Sequence, residues 1–268
     1  MLIRCLDNKL IRKVENYIGS SYYKCIYLYL DLEKYGYKNK DIKIWVQENE
    51  EKNITAIILM YYSGMHIFSK KYDYNMEEIK ELILDNKPSM ICGEKKTISD
   101  LYKYLDREKY FIETGWVRKL SNVSKFDRSE IKTEIKKDDF TQIAKLLYED
   151  EDIGSSYRLK ELVEQMIERN KEKYSRNYII KKDGKVVSHA GTGAENEKVA
   201  MLSYVITAPE YRGKGYAKKL CSAICEDLIL EGKDVFLINY STESTALYDK
   251  IGFKVCCDWG KIFLNLKK

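Results

Sequence analysis

The sequence has little of what would stiffen or staple it. Two prolines in 268 residues exclude a proline-rich linker and a collagen-like chain. Two histidines beside seven cysteines are too few to assemble a zinc site at the usual spacings, so no metal is expected. The cysteines fall at 5, 25, 92, 221, 225, 256 and 257, an odd count without a disulfide framework, and free thiols in a reducing cytosol are expected. There is no long apolar run. The most apolar stretch, Ile54 to Phe68, is interrupted by Ser63, Gly64 and His66 and is too short to span a bilayer. It reads as two strands around a Ser-Gly turn. The opening segment Met1 to Asp7 is broken by charge within a few residues and lacks the apolar core of a secretion signal. A cytoplasmic protein without membrane contact is the expectation.

What is present is an ordinary globular composition. Hydrophobic residues make up 44% and charged residues 33%, which argues against wholesale disorder. The length suits two domains or one large one. The formal charge is only +5, from 47 basic and 42 acidic residues. Because Lys and Glu are interleaved almost everywhere, the charge is not concentrated as a nucleic-acid surface requires, and no nucleic-acid partner is expected.

Apolar spacing divides the chain into two similar successions. In the first, residues 7–17 and 21–34 read as helices. Residues 41–47, 54–62 and 65–68 read as strands, 76–84 as a helix, 89–92 as a strand, 99–105 as a helix and 110–117 as a strand. A polar stretch over 120–129 marks a boundary, giving domains 1–125 and 126–268. In the second succession a strand is expected over 130–135 and helices over 138–148 and 159–171. Strands over 178–181 and 186–190 flank Asp183-Gly184, a hairpin signal. A strand over 200–207, a helix over 215–230, a strand over 235–239 and a helix over 243–251 stopped by Gly252 come next. Two short strands, 253–256 and 261–266, close the chain. The shared order points to an internal structural repeat of mixed α/β units.

The segment Val205-Ile206-Thr207-Ala208-Pro209-Glu210-Tyr211-Arg212-Gly213-Lys214-Gly215-Tyr216-Ala217 carries the chemistry. A strand runs into Pro209, which cannot extend a ladder. The chain then turns through two glycines and opens a helix. A helix start reached through such a turn presents unpaired N–H groups and a positive dipole end, a phosphate site to which Arg212 and Lys214 add charge. The spacing is neither that of a Walker A loop nor that of a Rossmann fingerprint. By itself the pattern is equally that of a plain basic strand–helix turn.

Downstream, Leu247-Tyr248-Asp249-Lys250-Ile251-Gly252-Phe253 follows in order after an intervening strand. Together the two segments resemble the acetyl-CoA-binding core of the GNAT N-acetyltransferase superfamily. Arg212, Gly215 and Ala217 fill its [QR]-x-x-G-x-[GA] loop, and Tyr248 its L-Y-x-K-x-G-F ending. The resemblance covers residues 130–268. It implies an α/β (α+β) fold of two GNAT-like mixed-sheet domains, the first degenerate because Ser69-Lys70-Lys71-Tyr72-Asp73 has no glycine turn.

The resemblance further implies that Val205, Ile206 and Thr207 pair with the pantetheine arm of acetyl-CoA. Arg212, Gly213, Lys214, Gly215, Tyr216 and Ala217 then hold the pyrophosphate. Tyr248 serves the departing sulfur. Ser241 and Ser244 stand where many members carry Asn and Ala; Ser241 either offers a hydroxyl to pantetheine or caps the helix. The partners implied are acetyl-CoA and a primary amine, a small molecule rather than a protein, acetylated by direct attack. No general base is evident: the strand over 200–207 holds no Glu or His. His189, Glu195 and Glu197 are the candidates elsewhere, His189 more plainly as a structural residue. The acidic run Glu149 to Asp152, followed by Ser155, Ser156 and Tyr157, lies where members often build the acceptor site, but reads more plainly as solvated charge. The missing base leaves a non-catalytic CoA-binding regulatory or sensor module as the alternative.

Overall fold

The same succession of elements is laid down twice. The computed structural model describes residues 1–5, 7–122, 128–150, 154 and 158–264. The chain divides into two compact units, Met1–Trp116 with Cys257–Lys268, and Val117–Cys256.

The first unit contains β1 (Leu2–Arg4), α1 (Asn8–Ile18), α2 (Ile26–Tyr35), β2 (Ile42–Glu48), β3 (Ile54–Tyr61) and β4 (Gly64–Phe68). It continues through α3 (Met76–Asn86), β5 (Met90–Glu94), α4 (Lys95–Tyr102) and most of β6 (Tyr110–Leu120). β2, β3 and β4 form an antiparallel meander, and β5 returns parallel to β4 after α3. The second unit repeats this. Two helices, α5 (Lys137–Glu149) and α6 (Leu159–Lys171), precede the antiparallel meander β7 (Asn177–Lys182), β8 (Lys185–Glu195) and β9 (Val199–Thr207). After α7 (Tyr216–Leu230), β10 (Asp234–Asn239) returns parallel to β9. α8 (Thr242–Ile251) and β11 (Phe253–Leu264) end the described chain.

The sequence-based cut at 125/126 is not where these units part. The first unit's sheet runs β1-β2-β3-β4-β5-β11, because the second half of β11 pairs antiparallel with β5, from Trp259 opposite Glu94 to Phe263 opposite Met90. The second unit's sheet runs β6-β10-β9-β8-β7, with the end of β6 supplying its first strand. Each unit is completed by a strand from the other half of the sequence, a long-range pairing that local composition does not reveal.

Other differences have local causes. The expected strand over 130–135 is a single bridge. Lys132 exchanges two 2.9 Å backbone hydrogen bonds with Ile179, on the β7 edge. The two closing strands are one, Phe253–Leu264, and Gly260 lets α4 pack on it: a Cβ there would sit 2.7 Å from Ile98 Cβ. α2 starts late, since Gly19 (φ +47°) ends α1 and residues Gly19–Lys24 form a 3-10 turn. α4 begins at Lys95, directly after β5. β1, three residues long, is too short to show a period and was not anticipated.

In the second unit the sheet is buried on both faces. α7 places Leu220, Cys221, Ile224, Cys225 and Leu228 against Ala200, Leu202, Val205, Val235 and Leu237. α5 and α6 place Phe140, Ile143, Leu147, Leu162 and Met166 against Ile179, Val186 and Ile206. Burial of these side chains at roughly 1.5–3 kcal/mol each holds the strand that carries the site.

Candidate functional site

The centre of the second unit is a parallel pair that parts. β9 and β10 are in register from Val199–Asp234 to Leu202–Leu237, and there the pairing ends. From Ser203 to Thr207, β9 has a partner on the β8 side only. On that side the register also shifts. Gly191 lies opposite Ser203 and His189 opposite Ile206, so β9 carries one extra residue. Tyr204 takes a left-handed backbone, φ +57°. This is a β-bulge, and it exchanges the faces of the strand. Ala200, Leu202 and then Val205 face α7, whereas Tyr204 and Ile206 face α5 and α6.

Beyond Thr207 the chain makes a 3-10 turn, Pro209–Tyr211, and reaches Gly213 (φ +77°) and Gly215 (φ +78°). A Cβ at either glycine would meet nothing within 4 Å, so the backbone there is open to a ligand. Gly215 is the N-cap of α7. No side chain caps this helix and no acidic residue stands in its first turn. Its leading N–H groups and positive dipole end therefore favour an anion. Tyr216 and Ala217, half-buried, begin the helix. Lys214 lies over the Tyr211 ring, 4.7 Å from its centroid. Arg212 donates through Nε to the Thr207 carbonyl at 3.1 Å and pairs through Nη2 with Asp150 at 2.9 Å. A cleft beside them is lined by Leu146, Asp150, Ile206, Thr207, Pro209 and Arg212.

The corresponding place in the first unit is closed to anions. α3 follows β4 as α7 follows β9, yet Asn75 caps its N–H groups, accepting from Glu77 at 3.1 Å and Glu78 at 3.3 Å. Glu77 and Glu78 occupy its first turn, and the Gln47 side chain holds the Asn75 backbone. A phosphate there would face two carboxylates, with two of the leading N–H groups already bonded to Asn75.

Tyr248 projects from α8 into the core that α7 forms with the sheet. It is 8% exposed, packs edge-on against Phe253 and makes no side-chain hydrogen bond among the described residues. Burial raises its pKa well above that of an ordinary phenol, with the nearby Arg118 guanidinium acting weakly the other way. Ser241 and Ser244 are brought to the same end of β10. The Ser244 hydroxyl donates to the Ser241 carbonyl at 2.9 Å, fastening the first turn of α8.

Two buried residues here escaped the sequence reading. Arg118, 4% exposed, donates to Asn239 Oδ1 at 2.7 Å and pairs with Asp249 at 2.6 Å. Asn239 in turn donates to the Ser241 carbonyl at 3.1 Å and the Thr245 hydroxyl at 3.0 Å. This network ties β6, the end of β10 and α8 together beneath Tyr248. Its one available signal was an arginine at the end of an apolar strand pattern.

The base candidates are all otherwise placed. His189 is fully buried. Its Nδ1 is 2.6 Å from the Tyr204 carbonyl and its Nε2 3.0 Å from Asn177 Oδ1, and burial pushes its pKa down to about 4. Glu195 pairs with Arg176 at 3.1 Å and Lys233 at 3.7 Å. Glu197 is exposed in the turn between β8 and β9, at the opposite end of β9 from the glycine loop. Of the acidic run, Glu149 and Asp150 border the cleft; Glu151, Asp152, Ser155, Ser156 and Tyr157 lie outside the described residues. All seven cysteines are free. Cys221 is pushed up to about 12 by burial and Cys225 is raised likewise, so neither is a ready nucleophile. Among the described residues no group of three or more His, Cys, Asp or Glu could hold a metal, and no helix is long and apolar enough to cross a membrane.

Comparison with known proteins agrees with this geometry. Residues 138–253 match the Acetyltransferase (GNAT) family. No curated protein matches the chain in sequence. Among solved structures, a Drosophila protein superposes with a TM-score of 0.66 at 12% identity, covering 98% of each chain. A tandem GNAT protein from the clavulanic acid biosynthesis pathway gives 0.61 at 10% identity, covering 100% of this chain and 99% of that one. A GCN5-related N-acetyltransferase-like protein from Streptococcus suis gives 0.59 at 15% identity, covering 96% and 98%. The full-length fold thus matches that of a tandem GNAT protein, as the family resemblance implied.

Proposed function

We propose that the C-terminal half of the chain, residues 126–268, within which residues 138–253 match the Acetyltransferase (GNAT) family, binds one acetyl-CoA and transfers its acetyl group to the primary amine of a small molecule. The observation that carries the reading is continuous. A strand edge left free where β9 parts from β10 leads directly into an uncapped, glycine-opened helix start. A free edge suits an extended amide-bearing arm, and the helix start suits a pyrophosphate.

On this reading Val205, Ile206 and Thr207 offer backbone groups to pantetheine. The N–H groups from Gly213 to Ala217 hold the pyrophosphate, with Arg212 and Lys214 adding charge. The amine lone pair forms the new N–C bond as the C–S bond breaks. The thiolate takes a proton from the Tyr248 phenol, which its buried position keeps protonated; the amine's surplus proton passes to solvent, and solvent returns a proton to the phenolate. Ser241 and Ser244 shape the end of β10 over which the arm passes. Positioning supplies most of the rate, as direct transfer between two bound substrates allows.

A second reading, a CoA-binding sensor without turnover, is favoured by one observation: His189, Glu195 and Glu197 are each held away from a basic role. Calorimetric titration with acetyl-CoA, followed by thiol release across a panel of amines, separates the two. One site per chain with release supports the transferase, and one site without release supports the sensor. Two sites would overturn the assignment of α3 as closed to anions, and no binding would overturn both readings.

The Arg212–Asp150 pair adds a prediction. Asp150 competes with phosphate for the same guanidinium. Asp150→Asn is expected to tighten CoA binding by roughly 2- to 5-fold, the range of a partly exposed ion pair, with the gain shrinking at high salt. Weaker binding in this variant would mean that Asp150 orients Arg212 rather than competing for it.

A further inference from the structure

We infer that His189 is a positioning residue: from the neighbouring strand its imidazole fastens the bulge at Tyr204 and so aims a backbone donor at the free edge of β9. The inference rests on the functional reading above, in which that edge receives the acyl donor.

The hydrogen bond fixes the tautomer. The Tyr204 carbonyl can only accept, so Nδ1 carries the proton, 2.6 Å away. The ring is fully buried and neutral, its pKa lowered to about 4 by burial. Nε2 is then an acceptor. As placed it lies 3.0 Å from Asn177 Oδ1, while the Asn177 amide nitrogen donates to Asn170 Oδ1 at 3.2 Å, so this tautomer requires the two amides to be turned over, the Asn177 NH2 then meeting Nε2. Room for the ring is built in. A Cβ on Gly191 would lie 2.8 Å from the Arg176 carbonyl, 3.0 Å from Asn177 Oδ1 and 3.1 Å from His189 Cε1. A side chain at 191 would displace the imidazole.

The bulge has reason to need fastening. Tyr204 holds a left-handed backbone that bulky residues avoid. Were the extra residue to slip out, Val205 and Ile206 would each exchange one core for the other. The consequence for the site follows from peptide geometry. No peptide bond in the described chain is cis. In a trans peptide the C=O and the next N–H point in opposite directions. With the Tyr204 carbonyl drawn to His189 on β8, the Val205 N–H points to the other side of β9, where β10 has already parted from it. A donor fixed there before binding is placed to polarise a thioester carbonyl and to stabilise the charge that develops on it. His189 does not touch the reactants; it sets the direction of a group that does.

Two amide substitutions separate this role from mere packing. In His189→Asn the side-chain nitrogen can occupy the Nδ1 position and keep the bond to Tyr204. In His189→Gln the amide reaches the Nε2 position, where its oxygen accepts from Asn177 as the ring nitrogen did, and the bond to Tyr204 is lost. Each variant gives up one buried contact, so a loss of stability is shared. The readout is the carbon-13 shift of the thioester carbonyl of acetyl-CoA labelled at that carbon, alongside calorimetric affinity for CoA itself.

The expected result is a downfield bound shift in the wild type and in His189→Asn that is lost in His189→Gln. CoA affinity stays within about 2-fold in all three, and turnover, with an acceptor in hand, falls about 10-fold in His189→Gln alone. Equal shifts in the two variants would overturn the inference. If neither variant folds, the nitrogen-15 shifts of His189 in the wild type decide: a proton on Nδ1 supports the assignment, and a proton on Nε2 overturns it. Failure of the wild type to bind acetyl-CoA would overturn the functional reading, whereas binding with no difference between the variants would overturn this inference alone.

Discussion

Gly215→Glu is expected to abolish acetyl-CoA binding while leaving the protein folded. Gly215 has φ +78° and caps α7, and a Cβ placed on it meets nothing within 4 Å. A side chain there strikes no neighbour, and its backbone strain is about 1–2 kcal/mol. The effect on binding is much larger. A carboxylate at the mouth of the helix start satisfies the very N–H groups a pyrophosphate would use and repels what remains. Like charges about 4 Å apart at an effective dielectric near 20 repel by about 4 kcal/mol, and even after screening roughly 100-fold in affinity is lost. Gly215→Asn is the control. Asparagine tolerates the left-handed backbone and brings no charge, so it keeps most of the affinity if charge is the cause. Calorimetry with CoA and a thermal melt on each variant give the answer. Normal affinity in Gly215→Glu would remove the loop from CoA binding altogether.

How much of this was legible in the sequence depends on the range over which each feature is encoded. The glycine turn and the run from Leu247 to Phe253 were readable because their chemistry is local. A left-handed turn needs glycine within a few residues, and a helix must end where Gly252 ends it. The free edge of β9 was expected only so far as the resemblance implies that Val205 to Thr207 pair with pantetheine, since nothing in Ala200 to Thr207 spells out a missing neighbour. Arg118 and Asn239 were missed because their bond joins residues 121 positions apart. The strand exchange was missed for the same reason: β11 reads as two pieces until its second half is seen paired with β5. His189 was read correctly as a structural residue. What it holds in place was invisible, because a bulge is a mismatch in count between two strands and belongs to neither strand alone.

That division of labour bears on Tyr248, whose substitution should separate binding from chemistry. Tyr248→Phe removes one oxygen from a side chain that is 8% exposed and has no hydrogen-bond partner among the described residues, and it keeps the edge-on contact with Phe253. Stability and CoA affinity should therefore hold. Turnover should fall by about 100-fold, the lower range for loss of a positioned proton donor, with KM for acetyl-CoA little changed. The pH dependence discriminates further. Burial raises the phenol above its usual value near 10, so the proton is in place throughout the neutral and mildly alkaline range. The wild type should show no alkaline limb from this group below about pH 10, and the ratio of wild-type to variant turnover should stay flat from about pH 6 to pH 10. A ratio that collapses by about pH 9 would mean that the phenol titrates near the reaction as an exposed one does. Unchanged turnover across the range would leave Tyr248 a packing residue, and the leaving thiolate would then take its proton from water in the cleft. The Arg118–Asn239–Asp249 network bears on the same point, since it anchors α8 on the end of β10 and so fixes where the phenol stands.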